Sequence, residues 1–114
     1  MKTIVDTSLF VNYSLHMPMI LQTSQFAEWI GTLRDRKARG AIAKRIVRLQ
    51  SGLDGDVKNI GEGVMEARIH FGPGYRLYCV KRGSELIVLL CGGDKSTQNR
   101  DIAVAKRLAA GLDE

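Results

Sequence analysis

Two neighbouring segments of the chain alternate apolar residues with side chains that can act on a phosphodiester. The polar positions are Glu66, Arg68 and His70 in the first segment and Arg76 and Tyr78 in the second. A two-residue period puts the polar side chains of each segment on one face of a β-strand. A Gly-Pro-Gly turn at residues 72–74 joins the segments, so we expect an antiparallel pair whose polar faces lie together.

This predicted cluster is suited to cleaving RNA without a metal. RNA carries its own nucleophile, the 2'-hydroxyl, so the protein must supply a base, cations against the phosphorane charge, and an acid for the leaving 5'-oxygen. The predicted catalytic residues are Glu66 or His70 as the base, Arg68 and Arg76 at the scissile phosphate, and Lys58 or Lys95 at the leaving group. If helices cover the other face of the sheet, the cluster lines an open basic groove. A solvated surface crossed by Glu–Arg pairs is the structural alternative.

A second basic region lies between Trp29 and Gln50, where many lysines and arginines are accompanied by a single acidic residue, Asp35. With a net charge of +5, this distribution favours an anionic partner, because clustered cations displace counterions from a phosphate backbone. The predicted RNA-binding residues are Arg39, Lys44, Arg45 and Arg48, together with Tyr75 and Tyr78 for stacking an exposed base. Charge alone does not separate a nucleic acid from an acidic protein, and solvated helix faces remain the alternative.

Other chemistries find no matching motif in the sequence. The chain has two histidines, and neither belongs to a spacing typical of metal sites, so we expect no metal and no cofactor. Cys79 and Cys91 occupy apolar positions, as buried thiols do. A two-residue hairpin at Gly83 and Ser84 predicts Cys79 opposite Val88 and Cys91 opposite Arg76, which disfavours a disulfide between the cysteines.

The composition and the hydrophobic periods predict one globular α+β domain. With 114 residues, of which 45% are hydrophobic and 25% charged, the chain suffices for one core. The predicted elements are a strand at 19–22, helices at 23–36 and 38–50, strands at 65–71, 75–82 and 85–91, and a helix at 99–110. The two early helices form a predicted helical hairpin, and residues 52–63 form a predicted loop.

The ends of the chain and its longest apolar run bear on domain boundaries and location. Residues 1–18 match no clear period, so we expect a flexible N-terminal extension before a single domain at 19–114. The run from Leu86 to Cys91 is far shorter than the roughly 20 residues of a membrane span, and polar residues interrupt any signal-peptide core. We therefore expect a soluble cytoplasmic protein with no membrane partner.

Particular stretches of the sequence resemble a known family, the RelE/HigB toxins of type II toxin–antitoxin systems. They are TSQFAEWIGTLRDRKAR, GDVKNIGEGVMEARIHFGPGYRLYCV and LLCGGDKSTQNRDIAVAK, and they are most similar to the phage-derived HigB-like "addiction module killer protein" branch. The resemblance covers residues 20–110. It implies a small RelE-like α+β fold, with a twisted, mainly antiparallel sheet, an N-terminal two-helix hairpin and a C-terminal helix.

The same resemblance implies a function and a set of partners. The chain is expected to be a toxin that cleaves mRNA on the ribosome, a metal-independent endoribonuclease neutralised by a HigA-like helix-turn-helix antitoxin, through which the complex binds operator DNA. By motif position, Arg76 matches the family's phosphate-contacting arginine, and Arg68 and Lys95 fall near two further basic positions. ParE-like toxins of the same superfamily inhibit DNA gyrase instead, so a non-nuclease inhibitor is the alternative, and an inactive prophage remnant is a third possibility.

Overall fold

The computed structural model describes residues 17–112, which form a five-stranded mixed sheet with helices on both faces. The elements in chain order are β1 (Met19–Gln22), α1 (Ser24–Thr32), α2 (Arg36–Gln50), β2 (Val57–Asn59), β3 (Val64–Ile69), β4 (Tyr75–Arg82), β5 (Leu86–Gly93) and, after a 3₁₀ turn at Lys95–Thr97, α3 (Gln98–Gly111). The strand order across the sheet is β1-β5-β4-β3-β2. β1 runs parallel to β5, and the other neighbouring strands are antiparallel.

Each face of the sheet buries its own apolar core. On one face, α1 and α2 pack over Ala67, Ile69, Leu77, Cys79, Ile87 and Leu89. On the opposite face, α3 packs over Val64, Tyr78, Val80, Val88, Leu90 and Cys91. β4 and β5 are therefore covered on both sides, which explains why the residues of β5 are apolar at nearly every position.

The predicted arrangement of helices and strands was wrong. The chain is α+β with a mixed five-stranded sheet, strands follow the helices and one helix ends the described chain, so the fold is not an N-terminal hairpin followed by a sheet. α1 packs mainly against β5 and α2 against β3, so the two helices lie side by side on the sheet rather than forming an N-terminal hairpin of their own. β1 and β2 lie at opposite edges of the sheet, so the chain between them, which contains both helices, must pass over one face.

Side-chain caps fix where the first two helices begin. The Thr23 hydroxyl accepts a hydrogen bond from the Phe26 amide at 3.1 Å and donates to the Leu90 carbonyl, which ties the start of α1 to β5. The Asp35 carboxylate accepts from the Lys37 amide at 2.8 Å and caps α2. Both residues are of the types that satisfy the unpaired amides of a first helical turn. Thr23 lies at the predicted start of α1, whereas the predicted first helix ran on through Asp35, which in fact caps the start of α2.

The β4–β5 hairpin differs from the predicted register. Arg82 pairs with Leu86, so three residues rather than two form the loop, and Gly83 takes a φ of 60° there. In this register Cys79 lies opposite Leu89. A bulge between Tyr78 and Cys79 then shifts the pairing once more, so that Cys91 lies opposite Tyr78. Both cysteines are free and buried. One added residue in a strand changes which partner every later position meets, and periodicity alone does not reveal it.

Two further expectations concern the ends and the surroundings of this fold. Apart from Met17 and Pro18, the predicted N-terminal extension lies outside the described residues. Within residues 17–112, no helix has the length and hydropathy needed to cross a bilayer. The predicted loop at 52–63 contains β2, which extends the sheet at one edge and places Lys58 directly opposite Glu66.

Candidate functional site

A fully buried carboxylate lies at the centre of the predicted polar cluster. Glu66, on β3, is inaccessible to solvent. One of its oxygens, Oε2, accepts hydrogen bonds from the Tyr78 hydroxyl and from Nε2 of Gln98, each at 2.9 Å. The other oxygen, Oε1, accepts from Nε of Arg68 at 3.3 Å. Glu66 thereby joins β3, β4 and the first residue of α3.

Arg76 is the second charged group of this cluster, and it is only 8% exposed. It lies directly opposite Arg68 in the β3–β4 ladder, and its Nε is 3.7 Å from Oε2 of Glu66. Its terminal nitrogen donates to the Gly74 carbonyl at 2.8 Å, whereas Nε has no hydrogen-bond partner among the described residues. Two facing arginines repel each other, and the carboxylate between them offsets that repulsion.

The surroundings of Glu66 keep it ionised. Burial alone raises the pKa of Glu66, but hydrogen bonds from Gln98, Tyr78 and Arg68, with the charge of Arg76, outweigh burial and lower that pKa below its usual value. Burial and the adjacent carboxylate raise the pKa of Tyr78, so its hydroxyl remains a donor. Because both oxygens of Glu66 are engaged and shielded, this carboxylate anchors the arginines and is poorly placed to take a proton from a substrate.

The face that carries this cluster is not an open groove, because α3 lies across it. α1 and α2 occupy the other face of the sheet. The apolar side of α3, with Ala105 and Ala109, is buried against the face that carries the cluster. What remains accessible is the rim of the cluster. We define this rim by the remaining predicted catalytic side chains. Arg68 is half-buried, and Lys58, His70 and Lys95 are exposed.

The exposed histidine has an acidic neighbour that the sequence pattern did not indicate. Nε2 of His70 lies 2.7 Å from Oδ2 of Asp56, and both side chains face solvent. An imidazole held by a carboxylate is the arrangement found in general acid–base catalysis. Of the two predicted bases, His70 is therefore the accessible one.

A polar turn orders the start of α3 next to the cluster. The Asp94 carboxylate accepts hydrogen bonds from the Ser96 hydroxyl and from the Ser96 amide, and these bonds lower the pKa of Asp94. The Thr97 hydroxyl donates to the buried Asp101 carboxylate. A Cβ on Gly93 would lie 1.8 Å from that carboxylate, so only glycine permits this close approach. The turn and Lys95 line a surface pocket of about 350 Å³ with Gln98, Asn99 and Arg100.

The four basic residues predicted to bind RNA separate into three environments. Arg45 is buried, and it donates from Nε to the Arg68 carbonyl at 3.1 Å and from a terminal nitrogen to the Asp56 carbonyl at 2.9 Å. Burial lowers the pKa of Arg45. Arg39 lines an apolar groove between α1 and α2, whereas Lys44 and Arg48 border a depression between α2 and Phe71.

The two tyrosines predicted to stack bases lie on opposite faces of the sheet. Tyr78 is fully buried beneath α3, where its ring is inaccessible. Tyr75 is half-buried on the other face and meets the Trp29 ring edge-on, with centroids 6.3 Å apart. The structure brings neither ring to the rim near Arg76. Phe71, which was not among the predicted residues, lies in the depression beside Lys44 and Arg48.

The remaining reactive side chains of the described chain form no further site. Burial raises the pKa values of Cys79 and Cys91 to about 12, so both thiols stay protonated at neutral pH. Within residues 17–112, no three His, Cys, Asp or Glu side chains are grouped so that they could hold a metal ion.

Comparisons with known proteins identify one relative and assign no activity. No protein-family model matches the chain, and no solved structure matches it. A protein of Haemophilus influenzae, described as an uncharacterized protein, is 46% identical over 93 residues, which cover 82% of this chain and 94% of the relative. At that identity and coverage, the chain belongs to the same family as this Haemophilus influenzae protein.

Proposed function

We propose that this chain is the toxin of a type II toxin–antitoxin module and that it cleaves mRNA on the ribosome in the cytoplasm. The observation that carries the proposal is the anchored pair Arg68 and Arg76. Glu66 accepts a hydrogen bond from Arg68 and lies 3.7 Å from Nε of the largely buried Arg76, and the exposed Lys58 and Lys95 are nearby in the fold. Such a fixed cationic site suits the charge that develops on a phosphorane.

The accessible groups supply the other steps of the proposed cleavage. His70, paired with Asp56, takes the 2'-hydroxyl proton as the attacking oxygen closes on phosphorus. Arg76 and Arg68 stabilise the phosphorane, and Lys95 or Lys58 stabilises or protonates the leaving 5'-oxygen. The products are a 2',3'-cyclic phosphate and a 5'-hydroxyl end. No cofactor is needed, because the nucleophile belongs to the RNA.

The partners follow from the same proposal. The sequence stretches that resemble HigB-like toxins imply a HigA-like helix-turn-helix antitoxin, through which the pair would bind operator DNA. Ribosome-bound message is the substrate. The resemblance concerns these stretches and the basic residues within them.

Growth after induced expression tests the proposal in cells. We expect the unaltered protein to arrest growth, Arg76→Ala to abolish the arrest, and the matched control Arg107→Ala, an exposed arginine of α3, to leave it intact. Arg76→Lys keeps the charge but loses the guanidinium fork, so it should retain little toxicity. A folded Arg76→Ala variant with full toxicity would remove this residue from the site, and thermal melting of each variant checks folding.

A further inference from the structure

A depression between α2 and Phe71 is not used by the proposed cleavage. We call it the α2 basic surface, and define it by Lys37, Lys44, Arg48 and Phe71. Its volume is about 510 Å³, and Gly40, Ala41 and part of Arg45 complete its lining. The lysines and Arg48 are exposed, and none of the residues lining the depression is acidic.

The chemistry of the α2 basic surface matches single-stranded nucleic acid. Phe71 packs against the core and is half-buried, so its ring is fixed while it borders the depression. Small residues beside it leave room for a flat group, since a Cβ on Gly40 would meet no atom within 4 Å. A fixed aromatic ring surrounded by cations is how proteins stack a base while holding the adjoining phosphates. An acidic peptide would need the cations but not the ring.

The position of this surface links it to the proposed catalytic rim. The turn at residues 72–74 separates the two: its first neighbour, Phe71, accepts a hydrogen bond from the Gly74 amide at 3.2 Å. On the other side of the turn, the Gly74 carbonyl accepts from Arg76, and the Lys95 amide donates to the Pro73 carbonyl at 3.5 Å. The α2 basic surface and the rim therefore flank a single tight turn.

We propose that the α2 basic surface binds single-stranded RNA, with one base stacked on Phe71. The bound strand is the message itself, which passes from Arg76 and Lys95 over the turn to α2. That identity of the strand rests on the proposed function, whereas the binding of RNA to this surface does not.

Direct binding of the full chain to a fluorescent RNA tests the surface. The probe is a single strand of about twelve nucleotides, made of 2'-O-methyl RNA so that it lacks the nucleophile and is not cut. We expect Phe71→Leu to weaken binding roughly tenfold by fluorescence anisotropy, because stacking on the ring is lost. Phe71→Tyr, which keeps a ring, should bind as the unaltered protein does. Unchanged affinity in Phe71→Leu would overturn the proposal.

The salt dependence of the same binding separates a phosphate contact from general attraction. Arg48→Gln should flatten the plot of log affinity against log salt concentration by about 0.7, the value for one phosphate contact on a single strand. The matched control Arg107→Gln, an exposed arginine near the end of α3, should leave the slope unchanged. Equal effects of the two variants would contradict a defined site, as would displacement of the RNA by polyglutamate at equal charge concentration.

A third comparison tests the path of the strand. If one RNA strand crosses the turn, Lys95→Gln and Phe71→Leu should each weaken binding of the same fluorescent RNA. An effect of Phe71→Leu alone would contradict the path. Binding is measured without cleavage, so the two proposals can fail separately. If the protein binds RNA through Phe71 but cuts no message, the binding site stands and the proposed function is contradicted. If the protein cuts message but Phe71→Leu binds RNA normally, the proposed function stands and the binding site is contradicted.

Discussion

At the scale of single residues, the two arginines depend on a buried carboxylate. Glu66 holds Arg68 through Oε1, and its Oε2 lies 3.7 Å from Nε of Arg76 while accepting from Tyr78 and Gln98. A carboxylate with four such neighbours organises their positions more than it reacts. Its role in the proposed reaction is therefore to position the cations.

The variant Glu66→Gln tests this positioning role through the rate of RNA cleavage. An amide of the same shape lacks the charge that holds both arginines, so we expect cleavage to fall roughly 10- to 100-fold. The acidic limb of the pH–rate profile should keep its position, because the base is a different group. If Glu66 were the base, the acidic limb would disappear together with its carboxylate. Glu66→Asp, which keeps the charge, should recover part of the rate.

The lowered pKa of Glu66 also predicts how stability changes with pH. A carboxyl group whose pKa is lower in the folded chain stabilises the fold above its unfolded pKa of about 4.3, and that contribution is lost as the pH falls through the folded value. Urea unfolding at about pH 7 and about pH 3 should therefore show a larger stability difference between the unaltered protein and Glu66→Gln at the higher pH. An equal difference at both values would contradict the lowered pKa.

At the scale of elements, Arg45 connects α2 to the sheet. Its guanidinium donates to the carbonyls of Arg68 and Asp56, so Arg45→Ala removes both bonds between α2 and these backbone segments, although the Asp56 carbonyl keeps the Arg68 amide as a donor. We expect a loss of about 2–3 kcal/mol in the free energy of unfolding, measured with urea. Lys44→Ala, at the adjacent exposed position of α2, should change it by less than about 0.5 kcal/mol. Similar losses in both variants would contradict a bridging role.

The junction of β5 and α3 provides the second prediction at this scale. Gly93→Ala forces a methyl group against the Asp101 carboxylate and the Thr97 hydroxyl, which should cost at least about 1–3 kcal/mol of unfolding free energy. Gly31→Ala in α1, where a Cβ meets nothing within 4 Å, should instead stabilise the protein by about 0.5–1 kcal/mol. The two opposite shifts in urea midpoint check the packing, and a neutral Gly93→Ala would contradict it.

At the scale of the whole molecule, the sequence predicted the strands and their polar face better than it predicted the layers. The two-residue period placed Glu66, Arg68 and Arg76 on one face, and the structure brings them together. The alternation within the strands gave no sign that α3 covers that face. The apolar side of α3 is weak, and helices with such a side pack against many different partners, so this side did not identify the surface that α3 covers. Gln98 and Phe71 carried no spacing signal of their own.

The layered architecture distributes the charged groups in two regions. The Glu66 cluster lies on the α3 face, and the α2 basic surface lies on the other, with the turn at residues 72–74 between them. The buried Arg45 shows why counting cations overstates a binding surface, since one basic residue of α2 serves the fold. The proposed RNA path crosses this turn, and no pattern in the sequence indicates that the two regions adjoin it.

The most direct test of the central claim uses purified ribosomes loaded with a defined message. New 5' ends are mapped by primer extension after adding the unaltered protein, Arg76→Ala or the control Arg107→Ala. The account predicts cuts within the codon in the ribosomal A site that require ribosomes, persist with Arg107→Ala and vanish with Arg76→Ala. Absence of cuts from a protein that arrests growth would contradict the account, and a DNA gyrase supercoiling assay would then test the inhibitor alternative.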